Sequence, residues 1–228
     1  MIRTDGRHFP KPIILTAIRW YLAYSLSYRD VEELLAERGI VEDHSTIARW
    51  VMRYSPLLLG AFRRRRRDVG TSWRMDETYI RVRGTWMYQY RAVDTSGHTI
   101  DFYFSERRDA TAAHRFLRRA IRQHRCPTTI TIDGSAANYA AIERANKTRR
   151  KHRMPRIAIR RCRYLNNVVE QDHRGIKRRV RLMLGFKSAA SAAVTLGGVE
   201  LIHMIRKGQL LRAFAGRSLA RSFERLAA

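Results

Sequence analysis

Apolar residues in the first part of the chain recur every three or four positions, which is the spacing of amphipathic helices. A first predicted helix begins near Pro12, and its apolar face contains Ile14, Ala17, Ile18 and Tyr21. A second begins after Ser27, where Asp30 completes a pattern that resembles a capping box, and it ends near Gly39. Its apolar positions are Val31, Leu34 and Leu35.

A third predicted helix follows after a short turn and is capped by Asp43 or Ser45. Its apolar positions are Ile47, Trp50, Val51 and Tyr54. Two amphipathic helices joined by a few residues that include Gly are typical of a helix-turn-helix, whose second helix presents exposed N-terminal residues to base edges in the major groove. The DNA-contacting candidates are therefore His44, Ser45, Thr46, Arg49 and Arg53. A helical hairpin that binds nothing is the alternative.

Five consecutive arginines, Arg63–Arg67, follow the helix breakers Pro56 and Gly60. Because like charges repel and seldom pack, this run is expected to mark a domain boundary. It is either a solvated linker or a segment that binds phosphates between two DNA-contacting domains.

From Trp73 the pattern changes to the alternation of β-strands. Three consecutive strands with two turns predict an antiparallel meander over residues 74–83, 86–93 and 99–104. Helices and short strands then alternate, with helices near 109–124, 136–145 and 167–181 and strands near 129–132 and 157–162. This order predicts an α/β fold: a ribonuclease-H-like core with a mixed five-stranded sheet and helices on both faces, then a C-terminal helix.

The predicted domains are 1–60, a helix-turn-helix that binds DNA; 61–71, a basic linker; 72–188, the ribonuclease-H-like core; and 189–228, a C-terminal helical segment. The chain has 228 residues, and 46 Lys and Arg against 20 Asp and Glu give a net charge of +26. Such an excess predicts a polyanionic partner. With 45% hydrophobic residues the chain can form a core, which excludes wholesale disorder.

The two cysteines, Cys126 and Cys162, exclude a disulfide framework and a cysteine-rich zinc module, and favour a reducing, intracellular setting. The most apolar early stretch, Pro12–Tyr24, is interrupted by Arg19 and is too short to cross a bilayer. No membrane partner is therefore expected.

Three of the few acidic residues lie where chemistry is expected: Asp76 in the first strand, Asp133 at the end of the fourth, and Glu170 in a late helix. If the first and fourth strands are neighbours, the two aspartates face one crevice and the glutamate reaches it from the helix. Carboxylates held together repel each other, so this cluster favours a divalent cation, and magnesium prefers oxygen ligands. The alternative is that all three pair with arginines.

Five motifs occur in an order and spacing that resemble a known family. They are Met75-Asp76-Glu77-Thr78-Tyr79, Tyr90-Arg91-Ala92-Val93-Asp94, Thr131-Ile132-Asp133-Gly134, Asn166-Asn167-Val168-Val169-Glu170 and Leu184-Gly185-Phe186-Lys187-Ser188. They resemble the DDE transposases of the IS-six family of bacterial insertion sequences. Ser27–Glu32 and His44–Trp50 are similar to the helix-turn-helix of the same family, so the resemblance covers roughly residues 7–210.

The resemblance implies Asp76, Asp133 and Glu170 as the catalytic, metal-binding triad and Lys177, seven positions after the glutamate, as a phosphate-holding residue. It implies two Mg²⁺ ions per site, with Mn²⁺ as a substitute. The implied partners are the double-stranded DNA of the element ends and of the target, together with a second copy of the chain in a homodimer or larger synaptic assembly. The expected location is cytoplasmic and nucleoid-associated, in a bacterium or archaeon.

Helical spacing supports part of this set independently. Glu170, Arg174, Lys177 and Arg181 share one helix face, and Arg174, Arg178 and Arg181 are further DNA-binding candidates.

The activity that the resemblance implies is DNA strand cleavage and strand transfer. A DNA-binding regulator that no longer cuts, and a basic RNA-binding protein of ribosomal type, are the alternatives.

Other acids are expected to be structural. Glu77 alternates away from Asp76, Asp94 lies in a turn, Asp101 is expected to pair at the surface, and Asp172 is expected to pair with an arginine. His114 and His173 lack metal-ligand spacing to another His or Cys, so neither is assigned to the site. Trp73 and Trp86 are expected to pack the sheet, although an aromatic near the site could stack on a frayed end base.

Overall fold

A computed structural model describes residues 9–181, 183 and 185–228. Residues 1–8 of the predicted first domain and Leu184 of the fifth motif lie outside the described residues. The contacts between residues divide the chain into two compact units. The first comprises the segment up to Arg67 together with Arg178–Ala228, and the second comprises Asp68–Lys177. The four domains assigned from sequence stay a prediction.

The elements follow in chain order. They are α1 (Lys11–Ala23), α2 (Tyr28–Ala36), α3 (His44–Arg64), β1 (Ser72–Val82), β2 (Thr85–Asp94), β3 (Thr99–Ser105), α4 (Ala110–Gln123), β4 (Thr129–Ile132), α5 (Ala136–Lys151), β5 (Ala158–Arg161), a 3-10 turn (Tyr164–Asn166), α6 (Asn167–Arg181), α7 (Ala189–Arg206) and α8 (Leu219–Ala227). None of the described helices is long and apolar enough to cross a bilayer.

The N-terminal helices begin where side chains satisfy their first backbone N–H groups. Ser27 forms the expected capping box, accepting a hydrogen bond from the Asp30 backbone N–H at 3.1 Å, while the Asp30 carboxylate accepts one from the Ser27 N–H at 2.7 Å. Asp43, and not Ser45, caps α3, because its carboxylate accepts from the backbone N–H groups of Ser45 and Thr46. Such caps contribute about 1 kcal/mol each.

Helix α3 is longer than the sequence predicted. It continues through Pro56 to Arg64, although an interior proline costs about 3 kcal/mol. The apolar spacing also continues, and Leu58, Ala61 and Phe62 are all buried. Burial of these side chains offsets the cost of the proline, so Pro56 and Gly60 do not break the helix as the sequence indicated.

The arginine run is held by the C-terminal part of the same unit. Arg65 donates to the backbone carbonyls of Arg225 and Leu226, at 3.1 and 2.9 Å, in the last turn of α8. Arg67 donates to the carbonyl of Leu210 at 3.0 Å. Arg65 and Arg67 are therefore bound to backbone carbonyls, and the two that Arg65 satisfies lie in the last turn of α8, where a helix leaves carbonyls without partners. Whether the run binds phosphates stays a prediction.

The second unit is built on a five-stranded mixed sheet of order β3-β2-β1-β4-β5. The first three strands form the predicted antiparallel meander, and β4 and β5 add in parallel to β1. This arrangement confirms the ribonuclease-H-like core. Helices α4 and α5 pack on the sheet, and the core they close contains Trp73, Met75, Tyr90, Phe116, Ile130 and Ile142.

Candidate active site

Strand β1 continues beyond its neighbour β4. Only Ser72–Arg74 of β1 pair with β4, so Asp76 lies two residues past the last paired position. At that edge Asn166, directly before α6, donates its side-chain amide to the Met75 carbonyl at 3.3 Å. The end of β4 and the start of α6 therefore both lie beside the middle of β1.

Asp133 follows β4 directly. Its carboxylate accepts a hydrogen bond from the Ser135 backbone N–H at 3.1 Å, and Gly134 has a φ of 110°, a conformation that favours glycine. This sharp turn begins α5 and leaves Asp133 exposed. Because β1 and β4 are parallel neighbours, Asp133 lies at the strand end nearest Asp76.

Glu170 lies in the first turn of α6, where the helix dipole favours a negative charge. Its side chain is 47% exposed and lies 3.8 Å from the Arg174 guanidinium. The contact is solvent-exposed and contributes little to stability. Glu170 is therefore oriented by its helix and still open to another partner.

The charges of these three acids act on one another. The Asp76 side chain is only 13% exposed. Burial, followed by the nearby charges of Asp133 and Glu170, raises its pKa to about 7, while Arg108 opposes the rise. The structure thus brings the three predicted acids within electrostatic reach at one strand end.

A divalent cation is the natural partner for this donor set. A carboxyl that keeps its proton near neutral pH, because of burial and then of like charges nearby, gains most from a neighbouring cation. As the side chains lie, however, no three His, Cys, Asp or Glu residues of the described chain form a group closed enough to hold an ion. The donors fit the chemistry of a divalent metal, but the side chains have to approach further to share one.

His173 is a neighbour of the site that the sequence reasoning did not assign. Its Nε2 lies 3.5 Å from the Asp76 carboxylate, and its side chain is 7% exposed. Burial and the Arg91 charge lower its pKa to about 3, so the ring is neutral at pH 7 and the contact is not an ion pair. Its position three residues after Glu170, on the same helix face, is the sequence signal that could have identified it.

Lys177 continues this face of α6. Its Nζ lies 4.1 Å from the centroid of the Tyr79 ring in β1. Arg174, Arg178 and Arg181 are also exposed.

A family model described as a DDE domain matches residues 70–209 of this chain. That span contains all three acids and Lys177. The chain belongs to the DDE transposases of the IS-six family. The family and the ribonuclease-H-like core are those of a polynucleotidyl transferase.

Two relatives of the transposase come from Staphylococcus aureus. The transposase for the insertion sequence-like element IS431mec is 38% identical over 202 residues, which cover 88% of this chain and 87% of the relative. The transposase for insertion sequence element IS257 in transposon Tn4003 is 37% identical over the same length and shares. The solved catalytic core domain of BIV integrase is 19% identical, with a TM-score of 0.43, over 57% of this chain and 82% of that one.

The remaining acids of the transposase core have structural partners. Glu77 accepts hydrogen bonds from Arg108 at 2.8 Å and from Asn138 at 2.7 Å. Asp172 lies 3.1 Å from Arg91. Both therefore help to fix the sheet and α6.

Asp94 and Asp101 also have structural roles. Asp94 accepts from the backbone N–H groups of Ser96 and His98 at 2.9 Å, as expected of a turn residue. Asp101 pairs with Arg119 at 2.8 Å, but its side chain is 1% exposed, so the expected surface pair is a buried one. Strand β3 is an edge strand, yet Arg119 on α4 reaches across it and covers this carboxylate.

The two tryptophans differ in environment. Trp73 is buried in the core as expected. Trp86 is 51% exposed, and its ring centroid lies 5.0 Å from that of Tyr79, so the expectation that it packs the sheet as a core residue does is wrong. It follows the β1–β2 turn directly, where the hairpin extends past its neighbours.

The five DNA-contacting candidates lie at the start of α3 in the transposase. The backbone N–H of His44 donates to the Glu32 carboxylate at 3.1 Å, and the ring Nδ1 of His44 lies 3.1 Å from the same carboxylate. Arg49 donates to the Thr46 hydroxyl, which in turn donates to the Asp43 carboxylate at 2.9 Å. Ser45, Arg49 and Arg53 are exposed. The first turn of α3 is thus fixed by side-chain contacts, and Arg49 and Arg53, in the following two turns, face solvent.

Proposed function

We propose that this transposase binds the terminal inverted repeats of its own insertion element and catalyses both DNA cleavage and strand transfer. This proposal is carried by the match to a DDE domain over residues 70–209, a span that contains all three acids. Burial and the like charges of Asp133 and Glu170, which raise the pKa of Asp76, support it. Arginines that could neutralise buried acids nearby are engaged elsewhere, since Arg108 contacts Glu77 at 2.8 Å. Such a cluster is favourable chiefly when a divalent cation is bound.

Asp76, Asp133 and Glu170 would hold two Mg²⁺ ions, for which Mn²⁺ can substitute. When bound, paired divalent ions activate an attacking oxygen and stabilise the leaving oxygen of an in-line displacement at phosphorus. Asp76 must lose its proton to act as a ligand, and Lys177 would place a positive charge against a DNA phosphate. Neutral His173 would limit the rotation of the Asp76 carboxylate.

The reaction proceeds by two displacements at phosphorus. Water first attacks the phosphodiester at an element end, and the bond to the 3′ oxygen breaks to give a free 3′-hydroxyl. That hydroxyl then attacks a target phosphodiester, joining the strands and releasing a 3′-hydroxyl of the target. The protein itself forms no covalent bond to DNA.

We assign end recognition to α2 and α3. The exposed start of α3 carries His44, Ser45, Thr46, Arg49 and Arg53, which would contact base edges and phosphates in the major groove. Arg174, Arg178 and Arg181 would bind phosphates separately. Because two element ends must be processed together, the working form would be a homodimer or a larger synaptic assembly.

A strand-transfer assay with Mg²⁺ and DNA that carries the inverted repeats flanking the gene tests this function. Glu170→Gln should reduce joining by at least about 10³-fold, because the variant lacks one anionic ligand. End binding measured by mobility shift should change less than about threefold, since the charge on the DNA-binding residues is unaltered. Glu106→Gln removes an exposed glutamate of the same unit and should leave both measurements unchanged.

Joining at the wild-type rate by Glu170→Gln would remove this residue from the mechanism. Specific end binding by the wild-type protein, without cleavage at any concentration of Mg²⁺ or Mn²⁺, would favour the non-cutting regulator.

A further inference from the structure

The end of the β1–β2 hairpin carries two large aromatic side chains exposed to solvent. Tyr79 is 55% exposed and Trp86 is 51% exposed. Arg81 pairs directly with Trp86 across the two strands, which makes Tyr79 the diagonal neighbour of Trp86 on the same face. We call these two rings the aromatic platform.

The platform is preformed. The ring centroids are 5.0 Å apart with an interplanar angle of 83°, the edge-to-face arrangement that aromatic pairs prefer. The hairpin turns tightly at Arg83 and Gly84, whose φ angles of 48° and 81° are both positive, as in the two-residue turns that match strand twist. A ligand that stacks here therefore does not have to order the protein first.

Positive charge surrounds the platform. Lys177 Nζ lies 4.1 Å from the centroid of the Tyr79 ring, and the Arg81 guanidinium carbon lies 5.8 Å from that of Trp86. An apolar ring surface bordered by cations fits a ligand with a flat π-system and an attached anion. A nucleotide has both, because its base stacks on aromatic rings and its phosphate attracts Lys and Arg.

The platform also lies close to the proposed reacting phosphate. Tyr79 is three residues beyond Asp76 along β1, about 10 Å by backbone rise or about three nucleotide steps of B-DNA, and strand alternation places the two side chains on opposite faces of β1. On α6, Lys177 is four residues beyond His173, about 6 Å along the helix. Helix α6 links the two places, because its His173 lies 3.5 Å from the Asp76 carboxylate and its Lys177 lies 4.1 Å from the centroid of the Tyr79 ring.

We infer that Tyr79 and Trp86 form a stacking site for an unpaired nucleobase of the DNA, within about three nucleotides of the phosphate that is cut. Trp86 supplies the stacking surface, Tyr79 braces the indole, and Lys177 with Arg81 neutralises the adjoining phosphates. This inference rests on the proposed function and adds to it a binding site for frayed or unpaired DNA. The site stacks bases without reading their sequence.

The test uses the full-length protein and a synthetic duplex with a three-nucleotide unpaired end that carries 2-aminopurine, whose fluorescence falls when it stacks. Wild-type protein should quench the probe, and it should bind this duplex more tightly than a fully paired one. Trp86→Ala should abolish the quenching and weaken binding to the unpaired end by about 5- to 150-fold, the range that one base–aromatic stack supplies. Affinity for the fully paired duplex should change by less than about twofold.

Two further variants control for loss of folding and of exposed aromatic area. Trp86→Phe keeps a stacking face and should restore most of the quenching. Tyr164→Ala removes a tyrosine of the same unit that is 79% exposed, and should behave like the wild-type protein. Thermal unfolding of each variant, compared with the wild-type curve, shows whether the fold is retained.

The possible outcomes separate this inference from the proposed function. If the wild-type protein joins element ends but does not quench the probe, or if Trp86→Ala quenches it fully, the stacking site is refuted and the transposase function stands. Light scattering of the DNA-free protein reports its oligomeric state. If Trp86→Ala changes that state and leaves the quenching intact, the two rings contact a second copy of the chain, and the stacking site is again refuted. Failure of the wild-type protein to bind any of the DNA contradicts the proposed function itself.

Discussion

Replacing Asp76 by asparagine should stabilise the metal-free protein above pH 7 while abolishing cleavage and joining. Burial and the charges of Asp133 and Glu170 raise the pKa of Asp76 from 3.8 to about 7, so the folded protein holds this proton more tightly than the unfolded chain. The stabilisation from the protonated acid is complete below about pH 4 and is lost as the pH rises towards 7. Asparagine cannot ionise, so the variant escapes this loss.

The size of the effect follows from the pKa. A rise from 3.8 to about 7 corresponds to at most about 4 kcal/mol between pH 4 and pH 8. The side chain is 13% exposed, so solvent screening reduces this value only partly. Because the charges of Asp133 and Glu170 contribute to the shift, Asp133→Asn should lower the Asp76 pKa part of the way towards its ordinary value.

Urea unfolding in the presence of EDTA measures this at pH 4.5 and pH 8. The free energy of unfolding of Asp76→Asn, relative to that of wild type, should rise by up to about 3 kcal/mol from pH 4.5 to pH 8. Comparing two pH values cancels the pH-independent cost of burying an amide. Saturating Mg²⁺ at pH 8 should stabilise the wild-type protein and leave the variant unchanged. A relative stability that is constant across this range, or equal stabilisation of both proteins by Mg²⁺, would refute the reasoning.

Three other measurements test the packing and the charge of the protein. Gly198→Ala should destabilise the protein by about 1–2 kcal/mol, because the added carbon would lie 2.6 Å from the buried Leu22 side chain. Gly60→Ala should stabilise the protein by up to about 1 kcal/mol, because the nearest atom is 3.7 Å from the added carbon. Urea unfolding distinguishes the two signs. Arg91→Leu should cost about 3–5 kcal/mol in the same assay, because it leaves the Asp172 carboxylate without its arginine. Affinity for duplex DNA should fall about 10³–10⁵-fold between 50 and 200 mM salt if 6–10 phosphates are contacted, and a nearly flat curve would contradict DNA binding through phosphates.

Much of the second unit could be predicted from local pattern. The alternation of apolar and polar residues identified β1, β2 and β3, and the short β-branched run identified β4. Once these strands were ordered, the neighbourhood of Asp76 and Asp133 followed from the parallel pairing of β1 with β4. Long-range pairing of this kind is predictable because few topologies satisfy a meander followed by alternating helices and strands.

Other features depend on contacts that no local rule contains. The arginine run appears locally as a repelling block of charge, but the carbonyls that Arg65 satisfies belong to residues 160 and 161 positions away. Pro56 appears locally as a helix stop, but apolar burial on both sides of it maintains α3. Trp86 has the strand propensity of a core residue, and its exposure depends on how far the β1–β2 hairpin extends beyond the strands and helices beside it.

The charge distribution around the site shows how a protein with so many arginines leaves the Asp76 carboxyl without strong neutralisation. Arg108 donates to Glu77, and Arg91 contacts Asp172, so both guanidinium groups hold acids next to the cluster. The opposing effect of Arg108 on the pKa of Asp76 is weaker than those of burial, Asp133 and Glu170. These arginines therefore fix the sheet and α6 without neutralising Asp76. Glu77→Gln would release Arg108, which could then approach the three acids, lower the pKa of Asp76 and compete with Mg²⁺. The variant should therefore need a higher Mg²⁺ concentration than the wild-type protein for the same rate of joining.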